Sequence, residues 1–347
     1  MRRSLAVVGT ATALTVVFAS SAAAATGWRI VGTHVNARIH AVAAVSAKDV
    51  WAVGDETVSG KYRALVRHWN GKTWKTLAVP SAVKGISLSH VAASSSTNVW
   101  VTGVDVRSFQ SYALRWDGRK WHTGPSHKAI EPISDAIAAI GKKDVWLLGL
   151  GAHLAAGQAR HFDGKSWKTV SVPGFVSSVS AVSSRDIWAT GLVPGKTQYQ
   201  AAVMHWNGKK WRTVLTPDSE TGFSSVLALG AKDVWVSGSA SGHGVILHWN
   251  GKKWATTTPA AGVRGIGALV SDGSKGLWAV ADQTRLLRYR AGRWNLTALP
   301  QRSGYTTRVY GLAQVKGATS VWGVGALSVS AGGDLTEKAD VIVKYGR

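Results

Sequence analysis

The stretch Asp49-Val50-Trp51-Ala52-Val53-Gly54 decides the fold of this chain, because close copies of it recur along the whole sequence. Each copy centres on a Val-Trp, Ile-Trp or Leu-Trp pair, and the seven tryptophans are Trp51, Trp100, Trp146, Trp188, Trp235, Trp278 and Trp322. Successive tryptophans lie 42 to 49 residues apart. A steady period of this length indicates a repeat architecture in which each copy is one supersecondary unit.

A second motif follows the first and reads His68-Trp69-Asn70-Gly71-Lys72-Thr73-Trp74 in the first unit. Its relatives occupy 115–121, 161–167, 205–211 and 248–254, with a degenerate form at 288–294. The Asn-Gly or Asp-Gly pair in its middle is a strong hairpin signal, and we expect a type I′ turn there.

Each unit contains four short strand signals, which we label a to d. In the first unit, strand a covers 41–45, strand b carries Trp51, strand c covers 64–69 and strand d runs from 72 to 79. Helical periodicity is absent, and four antiparallel strands per repeat are typical of a propeller blade. The sequence therefore predicts an all-β, seven-bladed β-propeller.

The two ends of the chain complement one another. The last unit stops at a strand-c signal, Val341–Tyr345, whereas Gly27-Trp28 begins a strand-d signal with nothing before it. We expect the N-terminal strand to complete the last blade and close the ring, which would remove the open sheet edge. An open solenoid is the alternative, and it would leave both ends unpaired.

The first 25 residues are typical of a secretory signal peptide. Met1-Arg2-Arg3 precedes an apolar run over 5–18 and an alanine-rich end. A membrane anchor is the alternative, but the run is shorter than the roughly 20 apolar residues that a spanning helix needs. We expect residues 1–25 to be removed, residues 26–347 to form a single secreted domain, and no membrane span to remain.

Composition excludes several kinds of site. The chain has no cysteine, which excludes disulfide scaffolds, thiol nucleophiles and iron–sulfur clusters. Four histidines, namely His68, His161, His205 and His248, precede the aromatic residue of strand c in four different repeats. Because each lies on its own blade, we expect no metal site and no cofactor. Most tryptophans are expected to pack between blades, with sugar stacking as the alternative.

In a propeller, the a–b and c–d turns emerge on one face, and here those turns are rich in Lys and Arg. We expect this basic face to bind an anionic polymer or a partner protein, or else to be a solvated surface. Its residues are Lys48, Lys72, Arg119, Lys120, Lys142, Lys143, Lys165, Lys209, Lys210, Lys232, Lys252 and Lys253. No nucleic-acid module occurs, so sequence-specific binding of nucleic acid is not expected.

The b–c and d–a connections on the other face differ from blade to blade and carry aromatic and polar residues. Variable loops on a rigid scaffold commonly bind ligands. The expected ligand-binding residues at this face and at the channel mouth are Tyr62, Phe109, Tyr112, Tyr305, Tyr310, Arg38, His40, His90, Asp135, Arg264 and Arg308. The close pair Asp55/Glu56 is expected on a loop without a histidine beside it.

The array also resembles known propeller families. The stretch Gly276-Leu277-Trp278-Ala279-Val280, followed by Arg288-Tyr289 and Trp294, is similar to a tectonin-type repeat. The whole array resembles kelch-like and Trp-repeat propellers exported by actinobacteria, although it lacks the kelch diglycine. More loosely, it resembles the lectin-like subunits of secreted umbrella toxin particles. These resemblances imply carbohydrate recognition and, for the last of them, a target-recognition subunit within a larger complex. No ligand residue carries over.

The sequence analysis thus leads to two functional hypotheses. The first is a secreted, non-enzymatic lectin-like module that recognises cell-surface or extracellular glycans. The second is a secreted propeller lyase or hydrolase acting on a polysaccharide or lactone, with His40, His90 and Asp135 at the channel mouth. No G-x-S-x-G, H-E-x-x-H or phosphate-loop motif occurs to favour the second.

Overall fold

A computed structural model of the chain describes residues 27–105, 107–128, 136–149, 157–196, 198–214, 216–217, 221–257, 259–331 and 334–346. The expected signal peptide and Asp135 lie outside the described residues. Within the described ranges, no helix is both long and apolar enough to cross a membrane.

The described residues form seven four-stranded antiparallel sheets. Blade 1 contains β2 (Ala37–Ser46), β3 (Asp49–Val58), β4 (Lys61–Trp69) and β5 (Trp74–Thr76). After a short 3-10 helix (Ser81–Val83), blade 2 contains β6 (Ser87–Ser95), β7 (Asn98–Asp105), β8 (Gln110–Trp116) and β9 (Trp121–Lys128). Blade 3 contains β10 (Ala136–Gly141), β11 (Asp144–Gly149), β12 (Gly157–Phe162) and β13 (Trp167–Val172). Blade 4 contains β14 (Phe175–Ser183), β15 (Asp186–Pro194), β16 (Tyr199–Trp206) and β17 (Trp211–Val214).

The remaining blades follow the same order. Blade 5 contains β18 (Gly222–Gly230), β19 (Asp233–Ala240), β20 (His243–Trp249) and β21 (Trp254–Thr257). Blade 6 contains β22 (Ile266–Ser271), β23 (Leu277–Ala281), β24 (Arg285–Arg290) and β25 (Arg293–Ala298). Blade 7 contains β26 (Thr306–Gln314), β27 (Val321–Ala331) and β28 (Asp334–Tyr345), and β1 (Trp28–Gly32) is its fourth strand.

The ring is closed by the two ends of the chain. Strand β1 pairs with β28, so that Trp28 lies opposite Tyr345 and Arg29 opposite Lys344. The innermost strand of each blade contacts the next, and β26 contacts β2. The seven-bladed, four-stranded fold and its closure by the N-terminal strand are therefore confirmed.

The a–b and c–d turns of each blade lie side by side on one face, which we call the turn face. In blade 1 a Cβ added to Gly71 would come within 2.9 Å of the Lys48 Cβ. The same close packing brings together Gly164 with Lys143, Gly208 with Arg185, and Gly251 with Lys232. All twelve basic residues named above lie on these turns.

The c–d turns that carry an Asn-Gly or Asp-Gly pair differ from the expected type I′ geometry, which is found in the Ala291-Gly292 turn of blade 6, where φ is 49° and 80°. Trp69 pairs with Trp74, so the loop holds four residues, and of these only Gly71 has a positive φ, of 94°. The Asn70 Oδ1 accepts hydrogen bonds from the backbone N–H groups of Lys72 and Thr73, both at 2.9 Å. The type I′ prediction is wrong because the Asn or Asp side chain closes the turn in place of a second left-handed residue.

The tryptophans pack between the blades. The indole of Trp51 in blade 1 lies 6.0 Å from that of Trp116 and 6.3 Å from that of Trp121, both in blade 2. Equivalent inter-blade clusters occur at every junction and are centred on Trp100, Trp146, Trp188, Trp235, Trp278 and Trp322. Each buries large aromatic surfaces, so these side chains join neighbouring sheets.

The residue before the strand-c aromatic covers the strand-b tryptophan of its own blade. His68 stacks on Trp51 with ring centres 4.2 Å apart, and its Nε2 is hydrogen-bonded to the Asp49 Oδ1 at 2.8 Å. The same oxygen accepts the Trp51 Nε1–H at 2.7 Å. The other three histidines are bound in the same way, each within its own blade, to Asp144, Asp186 and Asp233. Each of these aspartates therefore binds a histidine and a tryptophan side chain of its own blade.

Blades 2, 6 and 7 have a basic residue in place of the histidine, and in blades 6 and 7 it lies over the indole ring. The guanidinium of Arg288 lies 4.8 Å from the Trp278 ring centre, and the Lys344 ammonium lies 5.0 Å from that of Trp322. Cations on indole faces are favourable. Among the described residues, no group of three or more acidic or histidine side chains is arranged to hold a metal ion.

Candidate functional site

A β-bulge near the channel end of strand β2 redirects one side chain of blade 1. Ile39 pairs with Gly54 and Ala41 with Val53, which leaves His40 without a partner. Gly54 is required for this close approach, because a Cβ there would lie 1.9 Å from the Arg38 carbonyl oxygen. Bulges commonly re-aim side chains beside functional sites.

Blade 7 has the same bulge, and its unpaired residue is Tyr310. Gly325 makes room there, because a Cβ would lie 2.0 Å from the Arg308 carbonyl oxygen. The ring of Tyr310 stacks on that of His40 across the junction, with centres 6.4 Å apart and planes inclined by 21°. Two equivalent bulges thus place His40 and Tyr310 together at the junction of the first and last blades.

Asp55 is the hydrogen-bonding centre of this junction. Its Oδ1 accepts two bonds from Arg38, from Nε at 3.1 Å and from Nη2 at 2.9 Å. Its Oδ2 is bonded to the His40 Nε2 and accepts the Ser87 hydroxyl, both at 2.8 Å. Burial alone would raise the pKa of Asp55, but the hydrogen bonds from His40, Ser87 and Arg38 outweigh burial and hold this pKa below its usual value.

A second carboxylate, Glu337 of strand β28, faces the same arginine. The Arg38 Nη1 lies 3.4 Å from the Glu337 Oε2, and the Arg308 Nη1 lies 3.5 Å from Oε1. The Tyr310 hydroxyl also donates to Oε1, and burial followed by this bond raises the pKa of Tyr310. Arg38 therefore holds one carboxylate from each end of the chain, Asp55 on one side and Glu337 on the other.

Two cavities open beside this cluster and share three of its residues. The larger, of 790 Å³, is lined by His40, Ser87 and Arg107 in addition to the shared Arg38, Asp55 and Tyr62. The smaller, of 550 Å³, adds Asn36, Thr57, Arg308 and Glu337 to the same three residues. Tyr62 is 55% exposed, and the Arg38 guanidinium lies 5.7 Å from its ring centre. An exposed aromatic ring thus stands beside fixed polar groups.

A third cavity continues along this face toward blade 6. It has a volume of 370 Å³ and is lined by Asp282, Gln283 and Tyr310 among others. The Gln283 Oε1 accepts a hydrogen bond from the Arg308 Nε at 3.1 Å, so this cavity shares a wall with the 550 Å³ cavity. The three cavities follow the channel mouth across the junctions of blades 6, 7, 1 and 2.

The structure brings together five of the expected ligand-binding residues. These are Arg38, His40, Tyr62, Arg308 and Tyr310. His90 lies close to them on strand β6, where burial, with a further contribution from the charge of His40, lowers its pKa to about 4.

Other expected residues lie elsewhere. Tyr112 packs into the core between blades 1 and 2, and Tyr305 packs against Arg302, whose guanidinium lies 5.4 Å from its ring centre. Phe109 occupies the β7–β8 turn with a φ of 57°, and Arg264 is exposed on the connection before β22. None of these four lines the three cavities.

Sequence reasoning missed the two carboxylates. The expectation that Asp55 lies on a loop without a histidine is wrong, because Asp55 lies in strand β3 and its Oδ2 is 2.8 Å from the His40 Nε2. Glu337 was not among the expected residues, and it lies in strand β28, where it pairs with Ser328 of β27. One sequence signal was available for Asp55, since it directly follows the motif glycine Gly54.

Comparison with known proteins supports the fold only. No family model and no curated protein matches this chain. Among solved structures, "YCF48 bound to D1 peptide" has a TM-score of 0.65 at 15% identity, covering 92% of this chain and 97% of that one. YCF48 from Cyanidioschyzon merolae has a TM-score of 0.62 at 15% identity, covering 93% and 99%. The RRP9 WD40 repeats have a TM-score of 0.62 at 10% identity, covering 91% and 97%.

Proposed function

We propose that the chain is a secreted, non-enzymatic binding module, a lectin-like propeller that recognises cell-surface or extracellular glycans at the cavities around Arg38. The observation that carries this proposal is the exposed ring of Tyr62 beside the hydrogen-bonded group of Arg38, His40 and Asp55. Ligand sites of this kind combine an apolar surface with a few well-placed polar groups.

The chemistry of this group suits a sugar. One side of a pyranose ring is lined by C–H groups that pack on an aromatic face, while its hydroxyls need donors and acceptors around the edge. Tyr62 provides the face, whereas Arg38 and Glu337 provide a donor and an acceptor in the same cavity. Because these polar side chains are already held by hydrogen bonds to one another, binding a ligand costs little further side-chain entropy.

Binding is favoured over catalysis by the state of Asp55. An ionised carboxylate has about four lone-pair sites, and Asp55 receives four hydrogen bonds. It therefore has no site left to accept a proton from a bound substrate. Asp55 is better suited to hold Arg38 and His40 in place.

The test is binding to a glycan array by the wild-type protein and by two matched tyrosine variants. Tyr199 stands six residues before His205 in blade 4, as Tyr62 stands six before His68 in blade 1, and it is also exposed. We expect Tyr62→Ala to weaken binding of the best glycan by at least about tenfold, on the scale of a lost buried contact. Tyr199→Ala should leave binding within twofold. Equal losses, or no binding by the wild type, would contradict the proposal.

A second candidate function rests on His40. Because the Asp55 carboxylate accepts from Nε2, the neutral ring leaves Nδ1 as an acceptor, which is the arrangement of a general base. This favours the alternative of a polysaccharide or lactone lyase or hydrolase. Product release from a polysaccharide panel, lost in His40→Gln but retained in Tyr199→Ala, would establish the enzyme and reject the non-enzymatic module.

Export and assembly remain part of the proposal. Mass spectrometry of the protein from its culture medium should show loss of residues 1–25. A pull-down from the same supernatant tests membership of a larger secreted toxin particle, with co-purified subunits as the expected result and the chain alone as the contrary one.

A further inference from the structure

We propose that the turn face binds a linear polymer with phosphate groups along its backbone, through charge alone. This surface is opposite the cavities around Arg38, so the inference is independent of the glycan proposal. It rests on how the basic side chains of the a–b and c–d turns are held.

An outer row of cations follows the turn glycines. The next residue in the sequence is basic in all seven blades, and in the described part of the chain the row consists of Lys72, Arg119, Lys165, Lys209, Lys252 and Arg293. In the first five of these blades, the backbone N–H of this residue donates to the side-chain oxygen of the Asn or Asp that opens the turn, at 2.8 to 3.0 Å. The turn therefore fixes where each of these exposed side chains begins.

An inner row lies directly beside the outer one. It consists of Lys48, Lys143, Arg185 and Lys232, each of which packs its stem over the turn glycine of its own blade. A Cβ built on Gly251, for example, would lie 2.5 Å from the Lys232 Cγ. These residues are exposed, and long basic side chains of this kind pack their alkyl stem while the charge stays in water.

The cations of both rows are uncompensated. In the described part of the chain, none of them forms an ion pair with a carboxylate. The carboxylates of this face are bonded elsewhere: Asp163 lies 2.8 Å from the Lys168 ammonium, and Asp117 is bonded to His122. On the opposite face, by contrast, Arg38 and Arg308 are each paired with a carboxylate. The turn face is therefore the surface of the molecule that is best suited to attract a polyanion.

The residue types favour backbone phosphates over individual chemical groups. Lysine is the commoner residue in both rows, and its ammonium group interacts with phosphate as a compact charge without a preferred orientation. Arginine, in contrast, can form two parallel hydrogen bonds to a single carboxylate or phosphate group. The tryptophans of the c–d hairpins are engaged in the inter-blade clusters, so they do not form the stacking platform that reads bases. Because the positive charges are distributed around the ring, a long flexible polyphosphate-like polymer can contact several of them at once.

The experiment measures binding of long-chain inorganic polyphosphate to three proteins by fluorescence anisotropy over a series of salt concentrations. The test variant carries Lys165→Gln, Lys209→Gln and Lys252→Gln. The control carries Lys84→Gln, Lys196→Gln and Lys338→Gln, which remove three exposed charges from the opposite face. We expect the test variant to bind at least about tenfold more weakly, with a salt slope lower by about 2, at roughly 0.7 per lost contact. The control should stay within twofold of the wild type.

Two results would overturn the inference. Equal weakening in both triple variants would show that net charge, not the turn face, attracts the polymer. Binding of tripolyphosphate as tight as that of the long chain would show that a single local contact is sufficient. Thermal unfolding midpoints of the three proteins should agree, because the substituted side chains are all exposed.

Discussion

At the scale of single residues, one carboxylate oxygen in each of four blades links the turn, the core and the next strand. The Asp186 Oδ1 accepts the Trp188 Nε1–H at 2.8 Å and lies 2.7 Å from the His205 Nε2, while the two aromatic rings stack with centres 4.3 Å apart. Blade 2 keeps the acceptor without the charge, since Trp100 donates to the Asn98 Oδ1 at 3.1 Å. Five blades therefore share an oxygen acceptor at this position, whereas the buried Nε1–H groups of Trp278 and Trp322 in blades 6 and 7 have none among the residues that the structure describes.

Replacing Asp186 separates the roles of acceptor and charge. We expect Asp186→Ala to lower the free energy of unfolding by about 1–3 kcal/mol, because the nearly buried Trp188 Nε1–H loses its acceptor. Asp186→Asn, which copies blade 2, should cost less than half of that. Urea unfolding followed by tryptophan fluorescence measures both values. Equal losses would mean that the charge matters more than the acceptor.

At the scale of strands, the glycine that ends six of the seven b-strand motifs is linked to the shape of the neighbouring a strand. Five of these glycines, namely Gly54, Gly103, Gly191, Gly238 and Gly325, would place a Cβ within 2.4 Å of a carbonyl oxygen of the innermost strand. Blade 6 has Ala281 instead, and its bulge has a different register, between Ile266 and Leu269. The glycine thus accompanies the bulge that exposes His40 and Tyr310.

Gly54→Ala tests this link between bulge and site. The added methyl group would lie 1.9 Å from the Arg38 carbonyl oxygen, so β2 must shift and carry Arg38 and His40 with it. We expect a loss of more than about 2 kcal/mol in the free energy of unfolding and weaker glycan binding. Gly230→Ala is the control, because nothing lies within 4 Å of its Cβ position, and it should change stability by less than about 0.5 kcal/mol. Tight binding by Gly54→Ala would separate the bulge from the site.

At the scale of the whole molecule, the ring depends on contacts between its two ends. Trp28 of β1 packs edge-on against Trp278 of blade 6, with ring centres 5.3 Å apart, and completes the same aromatic cluster that joins every other pair of blades. The buried pair of Arg67 and Asp340, at 2.8 Å, adds a contact between blades 1 and 7. Burial raises the pKa of Asp340 despite that neighbour.

A disulfide across the closure tests the ring directly, because the natural chain has no cysteine to interfere. Arg29→Cys combined with Lys344→Cys places the two sulfurs on directly paired residues. We expect the bond to form under oxidising conditions and to stabilise the protein by about 3–5 kcal/mol, since it closes a very long loop. Thermal unfolding with and without reductant measures the effect, and each single-cysteine variant is a control. Failure of the pair to crosslink would contradict the closed ring.

The sequence by itself determined the number of blades, the order of their strands and the joining of the two ends. These features follow from local patterns, such as the Val-Trp pair and the turn glycines, which repeat at a steady period. They can be recognised without any information about contacts between distant parts of the chain. Turn type was less well determined, because the Asn70 side chain closes a four-residue loop that the Asn-Gly pair alone does not distinguish from a two-residue one.

Only the tertiary structure decided which acids belong to the candidate site. Glu337 lies 299 residues from Arg38 in the chain, and closure of the ring brings the two side chains within 3.4 Å. His40 meets Asp55 because a bulge turns it toward the channel, and a bulge shifts the alternation of side chains from which strand orientation is inferred. The scaffold follows from short-range repetition, whereas the site depends on which side chains the closed ring brings together at the junction of the first and last blades.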